Sequence, residues 1–174
     1  IFQSIKRILI MVKFYYSFII ILLLSVVNSS TAQTVDRPRV LVTTDGEADD
    51  RASMVRFLLT SNEFEVEGIV NSSSQFHWEG GQGWNAFHPV TWVKEYIDLY
   101  AQVYPNLQTH DTLFPHPDYL HSIWKVGNIA EIGEYQKRTK GAKFIAETLL
   151  DTTDHRPIWV QAWGGTNTIA SALK

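Results

Sequence analysis

Four carboxylates lie within six residues of one another, directly after a short apolar run: Asp45, Glu47, Asp49 and Asp50. Carboxylates this close repel one another unless a positive charge lies among them, and a hard cation with oxygen ligands usually supplies that charge. Ca²⁺ accepts about six to eight oxygens in flexible geometry, so several of these groups could share one ion with water and substrate hydroxyls. The cluster therefore predicts a divalent-cation site at the end of a buried strand.

An EF-hand loop and a helix cap account less well for the acidic cluster. An EF-hand loop requires glutamate at its twelfth position, and the twelfth residue counted from Asp45 is Arg56. Asp49 or Asp50 could instead cap the helix that follows and interact favourably with its dipole. Capping accounts for one carboxylate and leaves Asp45 unexplained, so the metal hypothesis is favoured.

A segment rich in glycine and tryptophan, residues 71–86, is a second candidate for ligand binding. It contains Trp78 and Trp84 and has no periodicity, which is typical of a long loop. Tryptophan faces stack on bases or sugar rings, and glycines let the backbone approach a ligand. A surface loop pinned to the core by its tryptophans explains the same composition equally well.

The remaining residues argue against several further classes of function. The six histidines show no metal-ligand spacing, so each is expected to be a surface or packing residue. Ser72 to Ser74 lack the glycine-flanked nucleophile elbow of a serine hydrolase, and no phosphate loop supports a phosphotransferase. The absence of cysteine excludes a thiolate nucleophile and a disulfide scaffold. A net charge of −3 with mixed signs gives no basic stripe for nucleic acid.

Alternating strands and helices must position these groups. Strand patterns occur at Val40–Val42, Phe64–Val70 and Pro157–Ala162. Helical spacing begins at Asp50 through Ala52, Val55, Leu58 and Leu59, and recurs from His88-Pro89 to Tyr104, over Lys140–Leu150 and over Thr166–Lys174. The segment Pro105–Arg138 is predicted to be irregular, with a short helix around Tyr119–Lys125.

This alternation predicts an α/β fold with a mostly parallel sheet flanked by helices. In such sheets ligands bind beyond the carboxyl ends of the strands. We therefore expect three segments to converge on one site: residues 45–50, 71–84 and 163–167.

The N-terminal segment has the features of an export signal. Lys13 is followed by the apolar run Phe18–Val27, and Ser30-Thr31-Ala32 fits the small-residue rule for signal peptidase. Residues 1–32 are thus expected to be upstream residues plus a signal peptide, with residues 33–174 as the folded part. A membrane anchor is the alternative, although the run is short for a membrane span. We expect export to the periplasm or beyond, with membrane contact only through the signal peptide. Because the last helical pattern stops at Lys174 without a cap, we also expect a C-terminal truncation.

The segment Val40–Met54, VLVTTDGEADDRASM, resembles the N-terminal signature of the inosine-uridine-preferring nucleoside hydrolase superfamily, in which an Asp-x-Asp-x-x-x-Asp-Asp pattern follows the first strand. It is most similar to the exported, nucleoside hydrolase-like branch of bacterial proteins described as cellulose-binding. The similarity extends to Gly68–Asn71 and Gly164–Ala170. It implies that residues 33–174 are the N-terminal part of a nucleoside hydrolase-like, Rossmann-type domain.

The resemblance also implies roles for individual residues. Asp45, Asp49 and Asp50 would bind Ca²⁺ together with the main-chain carbonyl of Trp163. Asp45 would also be the general base for a metal-bound water, and Asp49 would also touch the sugar hydroxyls. Asn71 lies at the position of the family's sugar-binding asparagine. The other residues expected to bind substrate are Trp78, Trp84 and Asn167.

The chain departs from the superfamily pattern at three positions. Thr43 stands where nucleoside hydrolases carry their first aspartate, while Gly46 and Glu47 replace a proline and a glycine. The family's last metal aspartate and its leaving-group histidine belong to the second half of the domain, which residues 1–174 do not include. The chain alone is therefore expected to be inactive.

Two functions of different classes follow. The first is an exported, calcium-dependent hydrolase of N-glycosidic or related glycosidic bonds, in which Asp45 activates a metal-bound water. The alternative is a non-catalytic carbohydrate-binding, or cellulose-binding, protein on the same fold. The expected partner is a small nucleoside or carbohydrate, with no nucleic acid, and the sequence leaves a homo-oligomer open.

Overall fold

Four strands form one parallel sheet in the computed structural model of the protein, which describes Tyr15, residues 36–83 and residues 90–174. They are β1 Arg39–Thr44, β2 Glu65–Asn71, β3 Trp124–Val126 and β4 Ile158–Ala162, in the order β3-β2-β1-β4. The helices of the same residues are α1 Ala48–Leu59, α2 Trp92–His110, α3 Pro117–Ile123, α4 Lys140–Leu150 and α5 Asn167–Leu173, with a 3₁₀ turn at Ser61–Glu63. The predicted α/β class with a parallel sheet is confirmed.

The chain divides into two units, Ile1–Asp36 and Arg37–Lys174, and the sheet belongs to the second. Three predictions fall outside the described residues: the signal peptide within residues 1–32, the helix start at His88-Pro89, and the binding role of Trp84. Among the described residues, no helix is both long enough and apolar enough to cross a bilayer.

Strand β1 occupies the centre of the sheet and is buried along its whole length. It pairs in parallel with β2 on one side and with β4 on the other. Because successive side chains of a strand point to opposite faces, Val40 and Val42 join one core cluster while Leu41 joins another. The unbroken apolar run that predicted this strand reflects burial on both faces.

Helix α1 presents a different face to the sheet from the one predicted. The spacing favoured Val55 and Leu59 as core residues, but each is 45% exposed. Met54 and Phe57 are buried instead, on the same side of the helix as the buried Asp50. The prediction was wrong because hydrogen bonds from the end of β1 to Asp50 set the rotation of the helix about its axis.

Two boundaries also differ from the prediction. Helix α2 runs through Pro105 to His110, because Tyr104 and Leu107 pack against the core on either side of the proline. Part of the predicted helix Tyr119–Lys125 is the short strand β3, which pairs with the end of β2. Three residues are too few for strand alternation to be recognised.

The second core cluster gives a stability prediction. Ile145 of α4 is fully buried against Leu41 and Val70, whereas Leu150 at the end of the same helix is 78% exposed. We expect Ile145→Ala to lower the free energy of unfolding by about 2–5 kcal/mol, because it leaves a cavity in the core. Leu150→Ala is the matched control and should change it by less than about 0.5 kcal/mol. Urea unfolding curves measure both, and equal effects would contradict this packing.

Candidate metal centre

The turn between β1 and α1 is held by the carboxylate of Asp50. Its Oδ2 accepts hydrogen bonds from Thr44 Oγ1 at 2.5 Å, from the Asp45 amide at 2.9 Å and from the Gly46 amide at 3.2 Å. Asp50 is 2% exposed, and this burial raises the pKa of its carboxyl group to about 6 although the Thr44 hydrogen bond lowers it. Asp50 is therefore a structural group of the turn, with only Oδ1 left for a ligand.

Asp45 lies at the end of β1 with one carboxylate oxygen unsatisfied. Its Oδ1 accepts a hydrogen bond from the Glu47 amide at 3.3 Å, whereas Oδ2 is buried and has no hydrogen-bond partner. The residue is 1% exposed. A buried carboxylate oxygen without a partner is costly, so this atom is suited to receive a cation or a water proton.

The loop after β4 packs directly on this carboxylate. A Cβ atom on Gly164 would lie 2.6 Å from Asp45 Cγ, and one on Gly165 would lie 1.9 Å from the carbonyl oxygen of Ser73. Only glycine lets the backbone approach this closely. The loops after β1, β2 and β4 therefore converge at the carboxyl end of the sheet, as the α/β pattern predicts.

Unsatisfied buried polar atoms are concentrated at this end of the sheet. Within residues 36–83 and 90–174, the buried side-chain atoms without a hydrogen-bond partner are Thr43 Oγ1, Asp45 Oδ2, Asn71 Nδ2, His77 Nδ1 and Trp92 Nε1. Trp92 belongs to the same region, because a Cβ atom on Gly46 would lie 2.8 Å from its Nε1. Buried polar groups are normally hydrogen-bonded, so a cluster of exceptions points to a ligand site.

Glu47 and His77 come together beside Asp45. Each of the three residues offers one metal-ligand atom, and these atoms lie within 4.8 Å of one another. His77 Nδ1 is 3.9 Å from Glu47 Oε2. No sequence signal pointed to this group, because His77 reaches it through the irregular loop after β2, and no periodicity or spacing links the two segments.

An open cleft of about 630 Å³ adjoins Asp45 and Glu47. Three large side chains at its wall are exposed: Phe76 by 52%, Ile132 by 51% and Tyr135 by 45%. The other lining residues are Ser73, Ser74, Gln75, Gly133, Trp163, Gly164, Gly165, Thr166, Asn167 and Ala170. The cleft thus combines carboxylates at one end with exposed aromatic rings.

The residues expected to bind metal occupy different environments. Asp49 is exposed, and its Oδ1 accepts a hydrogen bond from the Asp50 amide at 3.0 Å. The Trp163 amide donates to the carbonyl oxygen of Thr43 at 2.9 Å, so the Trp163 backbone lies beside the end of β1. Its indole lines the cleft and packs edge-on against Phe57. Asp49 is not part of the group that brings Asp45 to His77.

The residues expected to bind substrate also differ in what they can offer. Asn71 is fully buried; its Oδ1 accepts from Trp124 Nε1 at 2.6 Å, and its Nδ2 has no partner. Asn167 lines the cleft, but its amide is engaged with the protein: Nδ2 donates to Ser73 Oγ at 2.9 Å, and Oδ1 accepts from Ser72 Oγ at 2.6 Å. Trp78 packs over Gly80, away from the lining of the cleft.

Comparisons with known proteins agree with this geometry. Residues 39–174 match the family model described as "Cellulose-binding Sde182, nucleoside hydrolase-like domain". Among solved structures, the chain is similar to a nucleoside hydrolase-related hypothetical protein from Saccharophagus degradans that is associated with carbohydrate metabolism. The two share 35% sequence identity with a TM-score of 0.68 over 79% of this chain and 33% of the other. A comparison with curated proteins gives no match.

The family match covers the whole sheet, from β1 to the end of α5. The solved neighbour is much longer, so this chain spans about a third of that protein's length. The resemblance inferred from the acidic segment after β1 is confirmed by both comparisons. The chain belongs to the Sde182 family of cellulose-binding proteins, as its nucleoside hydrolase-like domain.

Proposed function

We propose that the protein carrying this chain is an exported hydrolase of N-glycosidic or related glycosidic bonds, with Asp45 as the general base beside a divalent cation. The single observation that carries the proposal is the carboxylate of Asp45, which is 1% exposed and keeps an unpartnered oxygen next to an open cleft. Export is proposed from the signal-like segment Lys13–Ala32. Because the chain spans a third of its solved neighbour, activity is proposed for the whole protein.

The donor set at the strand end fits a divalent cation. Asp45 Oδ2 needs a positive partner, and Asp49, Asp50 Oδ1 and the carbonyl of Trp163 are the other oxygens that would hold the ion. Oxygen donors of this kind favour Ca²⁺. When bound, such an ion supplies positive charge that lowers the pKa of an adjacent water.

The side chains of the chain then perform separate tasks. Asp45 takes the proton of the attacking water, since one of its oxygens is anchored by the Glu47 amide and the other has no partner. The Asn71 amide group retains an unused N–H donor for a sugar hydroxyl. Asp49 is exposed and can accept a hydroxyl proton in a hydrogen bond. The exposed ring of Phe76 offers a face on which a sugar or base can stack.

The first test removes the base. In the natural protein carrying this chain, Asp45→Asn should lower kcat for release of free sugar from nucleosides or aryl glycosides by about 100- to 10,000-fold. Removal of divalent ions with EDTA should abolish the same activity, and added divalent ion should restore it. Steady-state kinetics measure both effects.

Asp98→Asn is the matched control. Asp98 lies on the exposed side of α2, paired with Lys94 and His121, and does not line the cleft. This variant should keep the wild-type kcat. If Asp45→Asn retains wild-type turnover, or if EDTA has no effect, the catalytic proposal fails.

A second function is favoured by the exposed aromatic rings of the cleft: carbohydrate binding without catalysis. Phe76 and Tyr135 are about half exposed and lie on the cleft wall. Aromatic rings that face an open cleft are suited to stack on the apolar faces of sugars. The family description as cellulose-binding supports this function.

Stacking predicts a specific loss of affinity. Phe76→Ala and Tyr135→Ala should each weaken binding of cello-oligosaccharides by about fivefold, equivalent to about 1 kcal/mol. Isothermal titration and pull-down with insoluble cellulose measure the change. Phe76→Trp should retain binding because it keeps an aromatic face.

Trp159→Ala is the control, because Trp159 is 63% exposed on β4 but does not line the cleft. Affinity should be unchanged in this variant and in Asp45→Asn. A loss with Trp159→Ala as large as that with Phe76→Ala would place the carbohydrate site elsewhere.

A further inference from the structure

We propose that Asp45, Glu47 and His77 form a site for a divalent transition-metal ion of the Zn²⁺ and Co²⁺ class, which binds there in preference to Ca²⁺. The inference rests on the proposed function only in that Asp45 binds a cation, and it names the class of that cation. The three residues come from the end of β1, the turn before α1 and the loop after β2.

The distances are close to those of a coordination sphere. Two ligand atoms bound to one ion at about 2.1 Å can be at most about 4.2 Å apart. His77 Nδ1 and Glu47 Oε2, at 3.9 Å, already satisfy this limit. The three ligand atoms lie within 4.8 Å of one another, and the side chain of Glu47 is 43% exposed and free to move the remaining distance.

Two of the three side chains have a buried polar atom that nothing in the protein satisfies. Asp45 Oδ2 and His77 Nδ1 have no hydrogen-bond partner, although Asp45 is 1% and His77 9% exposed. Leaving such an atom unpaired costs about 1–3 kcal/mol. A metal ion bound between a carboxylate oxygen and an imidazole nitrogen would satisfy both atoms.

The backbone holds these ligands in place before any ion binds. The carbonyl of His77 accepts a hydrogen bond from the Ser74 amide at 2.8 Å, and the His77 amide donates to Ser74 Oγ at 3.2 Å. The Glu47 amide donates to Asp45 Oδ1 at 3.3 Å. Preorganised ligands lose less conformational freedom on binding, which raises affinity.

The imidazole decides the class of ion. Ca²⁺ is a hard cation that takes oxygen ligands, whereas imidazole nitrogen suits Zn²⁺ and its neighbours among the transition metals. Asp45 and Glu47 both line the open cleft, while His77 is buried behind them. Three protein ligands with a position open to a cleft are the arrangement of a catalytic rather than a structural zinc site.

Titration with Co²⁺ tests the proposal directly, because Co²⁺ bound to nitrogen and oxygen ligands absorbs visible light. The protein is purified without a histidine tag and titrated in the presence of millimolar Ca²⁺. We expect one Co²⁺ per chain. His77→Gln and Glu47→Gln should each weaken its binding at least tenfold.

The control and the second variant keep the test decisive. His110→Gln changes an exposed histidine at the end of α2 and should leave the Co²⁺ affinity unchanged. Should His77→Gln fail to fold, Glu47→Gln alters a half-exposed side chain and still removes a ligand. Thermal unfolding of the ion-free variants shows that each is folded.

The proposal is overturned if the wild type binds no Co²⁺, if Ca²⁺ displaces it at equal concentration, or if both variants bind it as tightly as the wild type. The last result would also be expected if His77 were only a protonated partner of Glu47. Ca²⁺-dependent hydrolysis that survives His77→Gln would leave the proposed function standing and remove this inference. His77-dependent Co²⁺ binding without hydrolysis would do the reverse.

Discussion

One oxygen of the Asp50 carboxylate holds the turn on which the candidate site is built. It accepts hydrogen bonds from the side chain of Thr44 and from the amides of Asp45 and Gly46, so it joins the end of β1 to the first turn of α1. A buried carboxylate depends on such donors to remain in place. The same contact sets the rotation of α1, so that Phe57 rather than Val55 meets the sheet. Core packing and site geometry therefore share one constraint.

The second constraint is the close approach of three backbone loops. Gly164 lies against the Asp45 carboxylate and Gly165 against the Ser73 carbonyl, at distances that no side chain would permit. The contact shields one side of Asp45 from water and leaves the other side to the cleft. This one-sided burial explains how a carboxylate can be almost inaccessible and still border an open cavity.

The sequence predicted the parts of the fold in which a pattern is continuous along the chain. Strand β1 is an unbroken apolar run, α4 was predicted with its observed bounds Lys140–Leu150, and the acidic residues of the turn are contiguous. Features that depend on tertiary contact could not be predicted. His77 joins Asp45 through an irregular loop, and Tyr135 reaches the cleft from a segment with no periodicity. The wrong face of α1 has the same origin, because a buried carboxylate outweighed the apolar spacing.

The position of β1 between β2 and β4 also determines when the site can form during synthesis. Arg39 of β1 pairs with Ile158 of β4, so the central strand has no partner on that edge until nearly the whole described chain has left the ribosome. At about 5–20 residues per second, the delay is on the order of ten seconds. Gly164 follows β4 and reaches Asp45 only at the end of this interval. The acidic turn is therefore the first part of the site to be made and the last to be enclosed, and a cation present in that interval meets it while it is still open to solvent.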